Sequence, residues 1–163
     1  MGFRAVVITV SDRGSRGERE DGSGPEIAGM LRNMGMEIIG LRIIPDERKM
    51  IRRTLLEWSD GGGADLIVTT GGTGVSPRDV TPDATREVID REIPGMAEAM
   101  RRQSAAVTPH AMISRAMAGI RGRTLIINLP GSPKGATENL SVLLPALPHA
   151  IEKIKGDESE CAS

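Results

Sequence analysis

Aromatic side chains are nearly absent from this chain, which has one Phe, one Trp and no Tyr among 163 residues. Its core must therefore be built from Ile, Leu, Val, Met and Ala, and the shortage argues against readout of nucleic acid by stacked rings. Cysteine occurs once, as Cys161 in a small polar tail, so no disulfide forms within the chain and a reducing compartment fits. Neither sign of charge dominates. With 21 basic and 22 acidic residues the formal net charge is -1, which argues against a general polyanion binder. The apolar run at residues 5–10 is too short to span a membrane, and no basic region followed by a signal-type core and cleavage site is visible. These absences predict a cytoplasmic protein with no membrane and no nucleic-acid partner. His110 and His149 are each isolated from any other metal-ligand type, so neither carries an expected role. Without an internal repeat or an interdomain linker, a single domain over residues 1–155 is expected, followed by a polar tail, 156–163, whose composition predicts disorder.

What is present is concentrated in residues 66–85, LIVTTGGTGVSPRDVTPDAT. Leu66, Ile67 and Val68, followed by Thr69 and Thr70, make a short apolar and β-branched run of the kind buried on both faces of a parallel sheet. Gly71, Gly72 and Gly74 then end the regular backbone. Having no Cβ and tolerating positive φ, they let the loop turn its amides toward an anion lying almost on the main chain, with the Thr73 hydroxyl among them. Thr81 is placed to cap a helix opened by Pro82, and Asp83 complements its first turn. Asp79 lies between the glycines and that cap. A carboxylate beside a loop built for anions is either satisfied by the loop's own amides or faced by a cation such as Mg2+, and the loop alone leaves both open.

The rest of the chain supplies further polar strand ends. A first strand, residues 3–10, runs into Ser11 and Asp12, which at the carboxyl end of a strand in an open α/β sheet either face a ligand or form a local turn. Residues 14–24 are Gly, Ser and charge without an apolar anchor, the pattern of a mobile surface loop and candidate lid. Pro25 opens a helix with Ile27, Ala28, Met30, Leu31 and Met34 at helical spacing, closed by Gly35. After a second strand at 37–44, Asp46 stands either as the N-cap of the next helix or as a second carboxylate facing a ligand. That helix has a basic start at Arg48, Lys49, Arg52 and Arg53. Pro94 starts another, fraying at Gln103 and Ser104, whose Arg101 and Arg102 complement the helix dipole or, beside a pocket, meet phosphate. Residues 114–120 and 124–129 flank Arg121-Gly122-Arg123 and predict a hairpin, which makes the sheet mixed with one antiparallel strand. Its second arm leads into a rigid loop at 128–135 carrying an amide, a hydroxyl and an ammonium. Two such loops on one sheet predict two halves of a pocket. A last helix, 138–155, is interrupted near Pro145 and Pro148. Neither a Walker A nor a GxGxxG pattern is present, so the residues by themselves support a nucleotide or phosphate-ester site on one α/β domain and go no further.

Five segments in order, VITVSDRG at 7–14, PDE at 45–47, TTGGTGVSPRDVTPDAT at 69–85, IPGMAEAMR at 93–101 and LIINLPGSPK at 125–134, resemble the MogA/MoaB family of molybdenum cofactor biosynthesis, which includes the gephyrin G domain. The resemblance implies an α/β three-layer sandwich with a mostly parallel central sheet, assembled as a homotrimer. It implies molybdopterin adenylyltransferase activity, in which molybdopterin and ATP, with Mg2+, give adenylylated molybdopterin and pyrophosphate, for hand-off to a molybdate-inserting enzyme. The motif-matched positions for catalysis and Mg2+ are Asp46 and Asp79. Gly71, Gly72, Thr73 and Gly74 would bind phosphate or nucleotide. Ser11 and Asp12, together with Asn128, Pro130, Gly131, Ser132 and Lys134, match the family's pocket lining, and Ser104 matches a serine on the pterin side. Glu20 departs from the pattern, near where many relatives carry an aromatic residue. The alternative within the resemblance is a MoaB-type scaffold that binds molybdopterin without catalysis.

Overall fold

A computed structural model describes residues 2–159; Cys161 and the end of the polar tail lie outside the described residues. Six strands form one sheet in the order β2-β1-β3-β6-β5-β4. The first four in that order, β2 (Glu37–Ile44), β1 (Arg4–Val10), β3 (Leu66–Thr70) and β6 (Thr124–Leu129), are parallel neighbours. The expected hairpin is β5 (Ala118–Arg121) turning into β6, and β5 pairs antiparallel both with β6 and with β4 (Arg91–Glu92). β4 has two exposed residues and no apolar pattern, so period alone gives no sign of it.

The central strands carry apolar residues on both faces because helices cover both. Ala5 and Val7 of β1, Leu66 and Val68 of β3, and Leu125, Ile127 and Leu129 of β6 pack into one core with α2 (Ser23–Asn33), α5 (Pro94–Ala105), α6 (Pro133–Leu143) and α7 (Leu147–Ile154). The alternate residues Val6, Ile8, Val10, Ile67 and Ile126 face the other core, beneath α3 (Arg48–Leu56) and α4 (Thr81–Val88). This period-two division of continuous apolar runs is what a sheet buried on both sides requires. The result is the expected three-layer sandwich.

Several element ends differ from expectation for local reasons. A one-turn helix, α1 (Asp12–Ser15), follows β1 and is capped by Ser11, whose Oγ accepts from Gly14 N at 3.0 Å. α2 begins at Ser23, two residues before Pro25, because the Asp21 carboxylate accepts from Gly24 N at 2.9 Å and from the Thr9 hydroxyl at 2.8 Å. The same two bonds fasten the far end of the segment read as a candidate lid. α6 starts at Pro133 rather than at 138, since Ser132 caps it by accepting from Gly135 N. Residues read as loop are therefore its first turn, where Pro is well accommodated. Thr81 does not cap α4. It is the first helical residue, follows Val80 at the cap position, and its buried Oγ1 has no hydrogen-bond partner among the described residues.

The connections place the site. β1 returns to β2 through α2 on one face, and β2 crosses to β3 through α3 on the other. The two connections thus run over opposite faces to the strands on either side of β1, which opens a crevice at the carboxyl ends of β1 and β3.

Candidate active site

All four parallel strands end at this crevice, with Val10 level with Ile44, Thr9 with Thr70, and Thr70 with Leu129. Ser11 and Asp12 leave β1, Asp46 leaves β2, Gly71–Gly74 leave β3, and Pro130–Ser132 leave β6. Residues separated by more than a hundred positions are therefore collected by sheet register.

The acidic residues form one connected group. Asp12 N donates to Asp46 Oδ2 at 2.9 Å, and Asp46 N donates to Asp12 Oδ1 at 3.0 Å, so each carboxylate anchors the other's backbone. Asp46 is not an N-cap; the cap residue of α3 is Glu47, whose side chain makes no capping bond. Arg78 grips Asp12 through Nε and Nη2 at 3.0 and 2.9 Å. That pairing holds the Asp12 carboxyl below the usual carboxylate range. Asp46 is pushed the other way, first by burial and then by the negative charge of Asp12 and Asp79, against the opposing bond from Asp12 N. One of the three acids is thus neutralised within the protein. The other two have no ion-pair partner among the described residues.

Asp46 and Asp79 lie against the same glycine loop. A Cβ on Gly72 would sit 3.1 Å from Asp46 Oδ1 and collide with Thr81 Oγ1, and one on Gly74 would sit 2.8 Å from Asp79 Oδ2. Gly71 and Gly72 adopt φ of 104° and 67°, a region costly for residues with a Cβ. At Gly71 the space is closed as well, because a Cβ would collide with Val10 O. Asp79 Oδ2 accepts from Ser76 N at 3.0 Å, so the carboxylate bonds within its own loop, while its second oxygen accepts from no group among the described residues. In the same sense, the N–H groups of Gly72, Thr73, Gly74 and Val75 have no acceptor among the described residues. Successive free amides on a turning backbone make an anion-binding concavity. Among the described residues no cluster of three or more His, Cys, Asp or Glu is arranged to hold a metal. Two carboxylates without ion-pair partners, and the Thr81 hydroxyl beside Asp46 at the Gly72 cradle that a Cβ would fill, nevertheless fit Mg2+, which is held by one or two carboxylates plus substrate phosphates and water.

Two cavities flank the point where the β3 and β6 loops touch. At that point a Cβ on Gly131 would lie 3.3 Å from Gly71 Cα, and Thr70 Oγ1 donates to Pro130 O at 2.7 Å. One cavity, about 380 Å³, is lined by Ser11, Asp21, Ser23, Gly71, Gly131 and Ser132 among others. The second, about 290 Å³, is lined by Thr73, Gly74, Met100, Ser104, Pro130 and Asn139 among others. Ser132 borders both, so the loops that follow β3 and β6 each contribute to the two cavities. Ser104 accepts a 2.6 Å hydrogen bond from Asn139 Nδ2. Lys134 lies outside both cavities, exposed on a shallow groove with Ser104 and Glu138.

Asn128 corrects the sequence reading. It is fully buried and lines neither cavity. Its Nδ2 donates to the Thr69 and Thr85 hydroxyls at 3.0 Å each, and its Oδ1 accepts from Met117 N at 3.3 Å. The amide ties three elements together beneath the pocket instead of facing a ligand. Arg78, Arg115 and Asn139 do not stand out in the sequence. Arg78 is inside a quoted motif, but Arg115 meets partners 32 to 41 residues away, and no local pattern announces such a contact.

A family model described as "Probable molybdopterin binding domain" matches residues 6–149. The chain belongs to that family. Among its relatives, the molybdopterin adenylyltransferase of Helicobacter pylori strain J99 is 42% identical over 93% of this chain and 87% of its own length. Gephyrin of Dictyostelium discoideum is 46% identical over 89% of this chain, which spans 21% of that longer protein. The crystal structure of the molybdopterin biosynthesis enzyme MoaB from Thermus thermophilus superposes with a TM-score of 0.89 at 52% identity, over 94% of this chain and 97% of that one. The family's members thus share the mostly parallel sheet described above.

Proposed function

We propose that this chain transfers the adenylyl group of ATP to molybdopterin, releasing pyrophosphate. The terminal phosphate of molybdopterin is already anionic at neutral pH, so it attacks the α-phosphorus of ATP without a general base, and the bond to the pyrophosphate oxygen breaks. The barrier lies in bringing two anions together and in the charge that develops on pyrophosphate. This chemistry asks for no base, so none is required of His110, which lines the second cavity.

The chain's own residues divide that work. The free amides of Gly72, Thr73, Gly74 and Val75 receive phosphate oxygens and stabilise charge as it forms. Asp46 and Asp79 would hold Mg2+, which when bound supplies positive charge between the triphosphate and the carboxylates. Ser11, with Gly131 and Ser132, would line the first cavity for one substrate, and Ser104 would contact the pterin from the second. The reading is carried by one observation, that two carboxylates without ion-pair partners lie against the glycine loop whose successive amides have no acceptor among the described residues. Incubation with molybdopterin and MgATP should release pyrophosphate in proportion to adenylylated pterin.

The family model, described only as a probable molybdopterin binding domain, supports a second reading, a molybdopterin-binding scaffold without transferase activity. Such a scaffold would bind the pterin in the same assay and release nothing. A cytoplasmic homotrimer that hands its product to a molybdate-inserting enzyme completes the proposal. Sedimentation tests the assembly, and no helix among the described residues is long and apolar enough to cross a membrane.

A further inference from the structure

We infer that Arg115 is a positioning residue for the triphosphate, an assignment that rests on the proposed adenylyl transfer. Arg115 is the hub of the glycine loop without belonging to it. Its backbone N donates to Thr73 O at 2.8 Å, its Nε to Gly74 O at 2.8 Å and its Nη2 to Asp79 O at 2.5 Å. The guanidinium also forks onto both oxygens of Asp83, at 3.1 and 3.0 Å, in the first turn of α4.

The consequence follows from the trans peptide, in which C=O and N–H point in opposite directions across a rigid plane. By drawing the Thr73 and Gly74 carbonyls toward itself, Arg115 turns the Gly74 and Val75 N–H groups away. Those two amides are among the four that lack an acceptor. The bond to Asp79 O fixes the backbone of a proposed Mg2+ ligand at the other end of the same loop. The main chain of Arg115 thus sets the Gly74 amide, while its side chain sets the Val75 amide and the backbone that carries the Asp79 carboxylate. Only a planar fork with several fixed donors can meet two carbonyls and a carboxylate together, so Lys is not equivalent here. The Asp83 pair is partly exposed, with side-chain exposures of 38% and 34%. Its contribution to stability is accordingly small, and its use is to aim the guanidinium.

The test compares the parent chain with Arg115→Lys. ATP affinity is measured by calorimetry with Mg2+, and pyrophosphate release is measured with each substrate varied in turn. The expected result is a loss of about tenfold in MgATP affinity and a matching rise in its KM, with the KM for molybdopterin within about twofold of the parent. A residue that merely supports the fold would not separate the two substrates in this way. Unchanged MgATP affinity, or equal losses for both substrates, overturns the inference. Should Arg115→Lys fail to fold, Asp83→Asn removes the aiming carboxylate while sparing the loop. It should weaken MgATP binding about threefold in the same selective pattern, and no change there overturns the inference too. A parent chain that binds MgATP more tightly than the variant but releases no pyrophosphate rejects the transferase reading and leaves the positioning role standing. A parent that binds no MgATP ends both.

Discussion

Replacing Asp79 by Asn removes one negative charge and little else. The Ser76 N–H that Asp79 Oδ2 accepts at 3.0 Å can be accepted equally by an amide oxygen. Arg115 grips Asp79 through its carbonyl, so that contact does not depend on the side chain. The loop should keep its shape, and the deficit should be electrostatic. A unit charge about 4 Å from a cation is worth about 4 kcal/mol at an effective dielectric constant of about 20. At about 1.4 kcal/mol per factor of ten, removing it lowers kcat/KM roughly a thousandfold. Asp46 remains as a ligand, so part of the loss should return at raised Mg2+ concentration. The assay is pyrophosphate release from molybdopterin and ATP across an Mg2+ titration, alongside calorimetry with molybdopterin alone, which should be unaffected. Full activity in this variant refutes the assignment. A loss of activity accompanied by an equal loss of thermal stability refutes it as well, because the carboxylate would then serve the loop and not a cation.

Other expectations concern the same few side chains. Burial and neighbouring negative charge raise the Asp46 carboxyl above its ordinary range, so the folded chain binds that proton more tightly than the unfolded chain. Its contribution to stability is present below the unfolded Asp value and is lost as pH rises through the raised folded value. Mg2+ compensates the ionised form, so the gain in Tm on adding it should grow over that pH window and flatten in Asp46→Asn. Thr81→Val replaces a buried hydroxyl that has no hydrogen-bond partner among the described residues. It should leave the free chain as stable as before or about 1 kcal/mol more stable in urea unfolding, while reducing the Tm gain from MgATP if the hydroxyl serves the bound state. Asn128→Ala leaves two buried hydroxyls and the Met117 N–H without the amide. It should cost about 3 to 5 kcal/mol in the same measurement.

Much of this protein is written locally. Continuous β-branched runs with glycine or proline at their ends identify β1, β2, β3 and β6 and say that the sheet is covered on both faces. The GGTG loop announces itself because only glycine fits a backbone at positive φ against another main chain, as Gly71 does against Val10 O. Helix starts are harder to place. Ser132 as the cap of α6 and Asp21 just before α2 accept from amides three residues on, but the same residue types also make turns, and their competition is decided by what packs behind them.

Sequence alone determined which residues end each strand and so which chemistry was available at the crevice. Tertiary structure decided how that chemistry is used. Sheet register turns Asn128 inward, to bind hydroxyls beneath the pocket, although it lies next to the loop that lines it. Strand order, by pairing β2 parallel with β1 so that their carboxyl ends lie level, sets Asp46 beside Asp12, and Arg78 then neutralises one acid and not the other. It also delivers Arg115 to a loop some forty residues earlier in the chain. Side-chain type and spacing are properties of neighbours along the chain, whereas charge pairing, desolvation and the direction of a peptide plane depend on neighbours in space, which only the packed sheet supplies.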